Sequence, residues 1–270
     1  MQVERTSLIK SGFMTFSTPH LSLPEVLEYA GRYGYNGIEP RLDEGHAHGI
    51  EVAATSEQRA AIKQRVADSG IALACLATSL KYADPDRTET MIRQTHERID
   101  LAGDVGAPAM RVFGGQIPEG INREQAIDLL AESLGAVAGH ADDRGVTLCL
   151  ETHDDWCDPT HVAEVVAGVN HPAIAVNWDI MHPVRTGNAT IDESFIVLKP
   201  WIRHLHVHDG DDSGLLPIGE GIVDHRRAIA LLKTISFDGF LSGEWIDWES
   251  YAIHLPRELQ TLKRYEQEVS

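Results

Sequence analysis

Cysteine is scarce in this 270-residue chain: only Cys75, Cys149 and Cys157 are present. Their odd number and the lack of any CxxC spacing argue against a disulfide framework. No apolar run approaches the roughly 20 residues needed to span a bilayer, which gives no expectation of a membrane partner. The opening MQVERTSLIK has no basic-then-apolar profile of a secretory signal, so a soluble cytoplasmic protein is expected. Positive charge is also in short supply. With 23 Lys and Arg against 41 Asp and Glu, the formal net charge is −18. That weighs against a wide phosphate-neutralising surface, and nucleic acid is not expected as a partner. Linkers, low-complexity segments and composition breaks are missing too, so residues 1–270 read as a single domain.

What is present is one recurring pattern. Amphipathic stretches alternate with short apolar runs, and 43% of the residues are hydrophobic, enough for a substantial core. The apolar runs are LIKSGFM (8–14), NGIEP (36–40), IALACLA (71–77), PAMRVFG (108–114), VTLCLE (146–151), AIAVNWD (173–179), IRHLHVH (202–208) and GFLSGE (239–244). Between them lie helical candidates at 22–34, 56–70, 88–106 and 123–145, with apolar residues at three- and four-residue spacing. Ser22 with Glu25, and Ser56 with the glutamate and glutamine after it, mark helix starts; Gly70, Gly106 and Gly145 stand where helices should stop. Strands alternating with helices imply right-handed crossovers and a parallel sheet. Eight such units predict an α/β fold closed into a (β/α)8 TIM barrel. An open doubly wound sheet is the competitor, disfavoured because no GxGxxG follows the first strand.

In such a barrel, catalytic groups lie at the C-terminal strand ends. Four late strands finish on side chains able to bind a metal: Glu151, Asp179, the segment RHLHVHDG and Glu244. Side chains alternate faces along a strand. Cys149 and Thr147 therefore share a face with Glu151, Asn177 and Ala175 with Asp179, and Ser242 with Glu244. Leu148, Leu150, Ile174, Val176, Trp178 and Leu241 occupy the other face, suited to packing beneath helices. His204, His206 and His208 share one face of their strand. His204 is expected deepest, as a satisfied core histidine; His206 level with the carboxylates, as a ligand; and His208 at the rim. Two Glu, one Asp and one His form a hard, oxygen-rich set suited to one divalent ion, Mn²⁺ first, with Mg²⁺ or Co²⁺ as alternatives. The bland alternative is that each acid caps or bridges loops.

At these residues the chain resembles the xylose-isomerase-like TIM-barrel superfamily of sugar isomerases and epimerases, which includes ketose 3-epimerases, inosose dehydratases and, more distantly, endonuclease IV. LCLETHD supplies Glu151, NWDIMHP supplies Asp179 and His182, HLHVHDG supplies His206, FLSGEW supplies Glu244, and PIGEGIVD looks like the family's GEG loop. The resemblance implies metal ligation by Glu151, Asp179, His206 and Glu244, proton exchange by Glu151 and Glu244, and contact of His182 with a substrate oxygen. It implies a small carbohydrate or keto-polyol as substrate. The chain departs from the ketose 3-epimerase pattern in having Cys157 in place of a second glutamate and Asp212 in place of an arginine. It also has His208 where many relatives carry lysine.

Further residues have two readings each. Glu39, Arg41, His46 and His48 follow the second strand as substrate-hydroxyl or phosphate contacts, or as a polar surface loop. Arg111 pairs with a barrel carboxylate or binds substrate, and His153 shapes the site or caps a loop. Trp156, Trp245 and Trp248 form apolar walls for a sugar ring or pack between subunits; a homo-oligomer is expected. The leading expectation is a metal-dependent isomerase or epimerase acting through an enediolate, with Glu151, Glu244 and His208 as acid–base candidates. A lyase uses the same enolate to expel a leaving group, protonated by His208 or His153. An endonuclease IV-like nuclease and a non-catalytic binding protein are the remaining alternatives.

Overall fold

The computed structural model describes residues 9–269; the segment 1–8, with the first residue of the strand expected at 8–14 and most of the segment read for a signal, and Ser270 lie outside the described residues. Its strands are β1 (Lys10–Phe13), β2 (Gly37–Ile38), β3 (Ala72–Leu73), β4 (Leu76–Lys81), β5 (Ala109–Phe113), β6 (Thr147–Glu151), β7 (Ile174–Asp179), β8 (Ile202–Val207), β9 (Asp209–Asp211), β10 (Gly214–Leu216) and β11 (Phe240–Gly243). The helices are α1 (Leu23–Tyr33), α2 (Ser56–Ser69), α3 (Thr88–Val105), α4 (Arg123–Asp143), α5 (Pro159–Val169), α6 (His182–Arg185), α7 (Ile191–Leu198), α8 (His225–Thr234) and α9 (Tyr251–Glu268).

A parallel sheet runs in the order β1-β11-β8-β7-β6-β5-β4, and β2 pairs with β3. The seam closes on both sides of β2. Glu39 N–H donates to Phe13 C=O at 2.8 Å, and Ala74 N–H donates to Ile38 C=O at 2.8 Å. Parallel bridges Met14–Glu39 and Arg41–Ala77 complete the circuit. Outside, the helices pack in a ring, α1-α2-α3-α4-α5-α7-α8-α9 and back to α1. The expected (β/α)8 barrel is thus the observed fold.

Helix ends follow local chemistry. The Glu25 carboxylate accepts the Ser22 N–H at 2.8 Å, and Gly70 and Gly106 take left-handed φ of 71° and 84° at their helix ends. One start shifts by a residue: Thr55, not Ser56, caps α2, accepting Gln58 N–H on its hydroxyl while Gln58 reaches back. The third expected strand is two pieces, β3 and β4, and reaches Lys81 rather than stopping at Ala77. The antiparallel hairpin β9–β10 also lies outside the eight-unit pattern.

Alternation sorts the strands as expected. Leu148, Leu150, Ile174, Val176, Trp178 and Leu241 are buried in the main core. Cys75, Ala109, Cys149 and Ala175 form a separate small-residue cluster. Ala109, Cys149 and Ala175 stand side by side on the neighbouring strands β5, β6 and β7, and Cys75 immediately precedes β4 beside them.

Candidate metal centre and active site

Parallel register decides which strand ends meet. Asp179 stands opposite His206 across β7 and β8, and Ser242 stands opposite His206 across β8 and β11. Glu151 closes β6, and Glu244 follows β11 directly. Glu151, Asp179 and His206 are fully buried, and Glu244 is 7% exposed. One ligand atom from each of the four lies within 4.8 Å of the others. His206 Nδ1 is 2.6 Å from Glu151 Oε1 and 3.1 Å from Glu244 Oε2.

Burying carboxylates together is costly unless cations or a metal compensate. Burial raises the pKa of Glu244, but the His206 imidazole overcomes it and brings the group to about 2. Burial acts the same way on Asp179, where His208 and His182 hold the carboxyl well below its usual range. Conversely, burial would lower His206; Glu151, Glu39 and Glu244 outweigh it and hold the ring well above an ordinary histidine.

Arg111 supplies the fourth counter-charge. Its Nε lies 3.2 Å from Glu151 Oε2, with both side chains buried, and its Nη1 donates to Thr78 C=O at 2.8 Å. Of its two expected roles, the structure displays the pairing with a barrel carboxylate.

Three imidazoles gather near Asp179. His208 Nε2 donates to Asp179 Oδ2 at 2.7 Å, and His182 Nε2 is 4.0 Å from the same oxygen. The rings of His153 and His182 are 4.4 Å apart, and those of His182 and His208 5.6 Å apart. His153 also pairs with Asp154 at 3.1 Å; burial lowers its pKa, but this partner reverses the shift upward. Asp179 Oδ1 accepts the N–H groups of Met181 and His182, which fixes the turn into α6.

Other candidate residues are placed by local contacts. His48 is buried, with Ile50 N–H donating to its Nδ1 at 3.0 Å and its Nε2 donating to Arg41 C=O at 3.2 Å, so both nitrogens have partners within the loop. His46 is half-buried, shares a 3.0 Å hydrogen bond with Thr15 Oγ1 and sits against Phe16. Trp156 and Trp245 are interior side chains rather than rim walls. Trp156 Nε1 donates to Gly115 C=O at 2.8 Å, and a Cβ on Gly114 would come within 2.2 Å of that nitrogen, so only glycine fits beneath the indole. Cys157 donates to Asp154 C=O at 3.1 Å, and Asp212 is exposed beside the β9–β10 turn.

The sequence reading missed the part played by two acids. Glu39, read as a substrate contact or a polar surface-loop residue, is fully buried at the end of β2 and contacts both His204 and His206. Its position directly after an apolar run was the same signal that marked the other site acids. Asp209 gathers four backbone N–H groups, from Gly210, Gly219, Gly221 and Val223, and so folds the GEG segment over its strand. Glu39, Cys75 and His204 form another close group; burial pushes the Cys75 thiol well up, against thiolate ligation.

A closed eight-unit barrel whose mouth gathers buried carboxylates and imidazoles defines a class with a polar, charge-compensated centre. The chain belongs to the xylose isomerase-like TIM barrel family, whose sequence profile matches residues 27–264. It is 26% identical over 263 residues to a 3-dehydroshikimate dehydratase from Bacillus anthracis, covering 88% of this chain and 91% of that protein. The fold is shared with an L-ribulose 3-epimerase at a TM-score of 0.81 and 16% identity, covering 97% and 96% of the two chains. It is also shared with a Mycobacterium smegmatis family member in complex with magnesium, at a TM-score of 0.73 and 17% identity, covering 98% of each. Its relatives thus include enzymes of more than one reaction type. Among the described residues, no helix is long and apolar enough to cross a membrane.

Proposed function

We propose that the protein is a divalent-metal-dependent isomerase or epimerase of a keto sugar or keto-polyol, acting by proton abstraction beside a carbonyl through an enediolate. The observation that carries this reading is the convergence of Glu151, Asp179, His206 and Glu244, four mouth donors within 4.8 Å of one another. They are proposed as the ligands, and three carboxylates with one imidazole suit Mn²⁺, with Mg²⁺ or Co²⁺ as alternatives. A divalent ion bound there supplies an electrophile for the developing negative charge. Glu151 and Glu244 are the proposed bases, approaching the centre from β6 and from the end of β11. Arg111 ties down Glu151 Oε2, which leaves Oε1 turned toward His206. His208, anchored through Nε2 on Asp179, presents its other ring nitrogen as an acid or base. His182 and His153 are proposed contacts for substrate hydroxyls, and His46 stands further out on the loop after β2.

A second reading, dehydration of the same kind of substrate, is favoured by the row His153–His182–His208. Such imidazoles can protonate a departing hydroxyl, and the Bacillus anthracis relative carries a dehydratase name. Product mass separates the two outcomes: unchanged for isomerisation, lighter by one water for dehydration. Turnover in D₂O should place deuterium beside the carbonyl of an isomerised product, or a substrate C–D bond should slow the reaction. If neither effect appears, proton abstraction is the wrong reaction class. His208→Asn should reduce turnover by about 10²–10⁴-fold with metal content unchanged.

A further inference from the structure

The imidazole of His206 has two nitrogens, and they face carboxylates on opposite sides of the ring. Nδ1 faces Glu151 and Glu244, at 2.6 and 3.1 Å. Nε2 points the other way, into the barrel, and donates to Glu39 Oε1 at 3.1 Å. A neutral imidazole carries one proton, so only the tautomer with hydrogen on Nε2 leaves a lone pair on Nδ1 for a cation. A carboxylate accepts and cannot donate, so Glu39 selects that tautomer once a cation takes up Glu151 and Glu244, the acceptors that face Nδ1.

Glu39 is itself held rigidly. Its second oxygen, Oε2, accepts from His204 Nε2 at 2.7 Å, so the carboxylate cannot turn away from His206. Its backbone is locked at the barrel seam, with its N–H donating to Phe13 C=O at 2.8 Å and its C=O accepting from Thr15 N–H at 3.0 Å. The rings of His204 and His206 meet edge to face with centroids 5.6 Å apart. His204 fills the deep position expected for it and has a partner there.

We infer that Glu39, steadied by His204, is a positioning residue that fixes the ring orientation and the Nε2–H tautomer of His206, so that Nδ1 is offered to a divalent ion. The inference rests on the reading of His206 as a ligand. Glu39 acts only through that ring, and its strand-end position makes the closure of the barrel at β1 and β2 a condition for building the centre on β6, β7, β8 and β11.

The test compares wild type with Glu39→Gln and Glu39→Asp, each checked for folding by circular dichroism. Mn²⁺ binding is read from the free-ion EPR signal, and the His206 tautomer from ¹⁵N–¹H correlation spectra of Mg²⁺-loaded protein. Glutamine accepts from only one of the two imidazoles and turns an NH₂ toward the other; aspartate keeps two acceptor oxygens. Glu39→Gln should bind Mn²⁺ about 10–100-fold more weakly and lose the Nε2–H pattern, while Glu39→Asp recovers part of both. Equal affinity with an unchanged His206 spectrum in Glu39→Gln overturns this inference and leaves the metal-centre reading standing. Wild type that binds no Mn²⁺ overturns both. Should neither variant fold, the wild-type spectrum decides: a proton on Nδ1 of His206 in the Mg²⁺-loaded protein refutes the assignment.

Discussion

Burial keeps the His48 ring neutral, against the pull of its bond to Arg41 C=O. The loop demands an acceptor at Nδ1 and a donor at Nε2, and burial pushes the pKa from 6.5 down to about 4. Folding therefore excludes a proton that the unfolded chain binds below its own pKa. The stabilisation is full above the unfolded value and is lost as pH falls from about 6.5 toward 4, roughly 3 kcal/mol in all. His48→Gln preserves an acceptor and a donor without the titration. Urea unfolding from pH 7 to pH 4 should thus show wild type losing its advantage over this variant by about that amount; parallel pH profiles would contradict the argument. Arg111 offers a different test. Arg111→Met strands the buried Glu151 carboxylate beside His206, and removing one partner of a buried pair costs about 3–5 kcal/mol. A loss below about 1 kcal/mol in urea denaturation would show that the guanidinium is not the counter-charge.

Among the elements, α2 stands apart. It is well capped, by Thr55 at one end and Gly70 at the other, yet none of its residues is buried, whereas α4 buries seven. Local stability follows buried apolar contact. Amides of α2 should therefore exchange with deuterium faster than those of α4 by roughly tenfold or more, the ratio for about 1.4 kcal/mol. Equal protection in the two helices would mean that α2 opens only with the whole barrel. The helices were legible because their caps and periodicity are local. The third strand was not, because its shape depends on distant partners. It breaks at Ala74–Cys75 between β3, which pairs with β2, and β4, which pairs with β5. Within β4 the register shifts where the Thr78 hydroxyl donates to Arg111 C=O at 2.9 Å and accepts Leu80 N–H at 3.2 Å. The same holds for β9 and β10, whose hairpin leads into a loop that Asp209 pins through residues up to 14 positions away.

At the scale of the whole molecule, a chain of net charge −18 brings three carboxylates together in its interior, and a cation that binds only the folded form must stabilise it. At a hundredfold excess over its dissociation constant such an ion adds about 2.7 kcal/mol, on the order of 5 °C in melting temperature. Protein stripped by chelator should melt lower by that amount and recover with Mn²⁺; a melting temperature indifferent to both would count against the centre. The eight-unit barrel, its two strand faces and the four strand-end donors were written in the sequence. Alternation along a strand and the parallel crossover rule turn local pattern into position, which brought Glu151, Asp179, His206 and Glu244 to one mouth. Only tertiary structure decided which nitrogen of His206 faces which acid, that Glu39 lies beneath it, that Arg111 is taken up by Glu151, and that His48, Trp156 and Trp245 serve the interior. Those choices depend on contacts across the barrel between residues as far apart as Glu39 and His206, separated by 167 positions. No local spacing in the chain encodes the rotation of a ring.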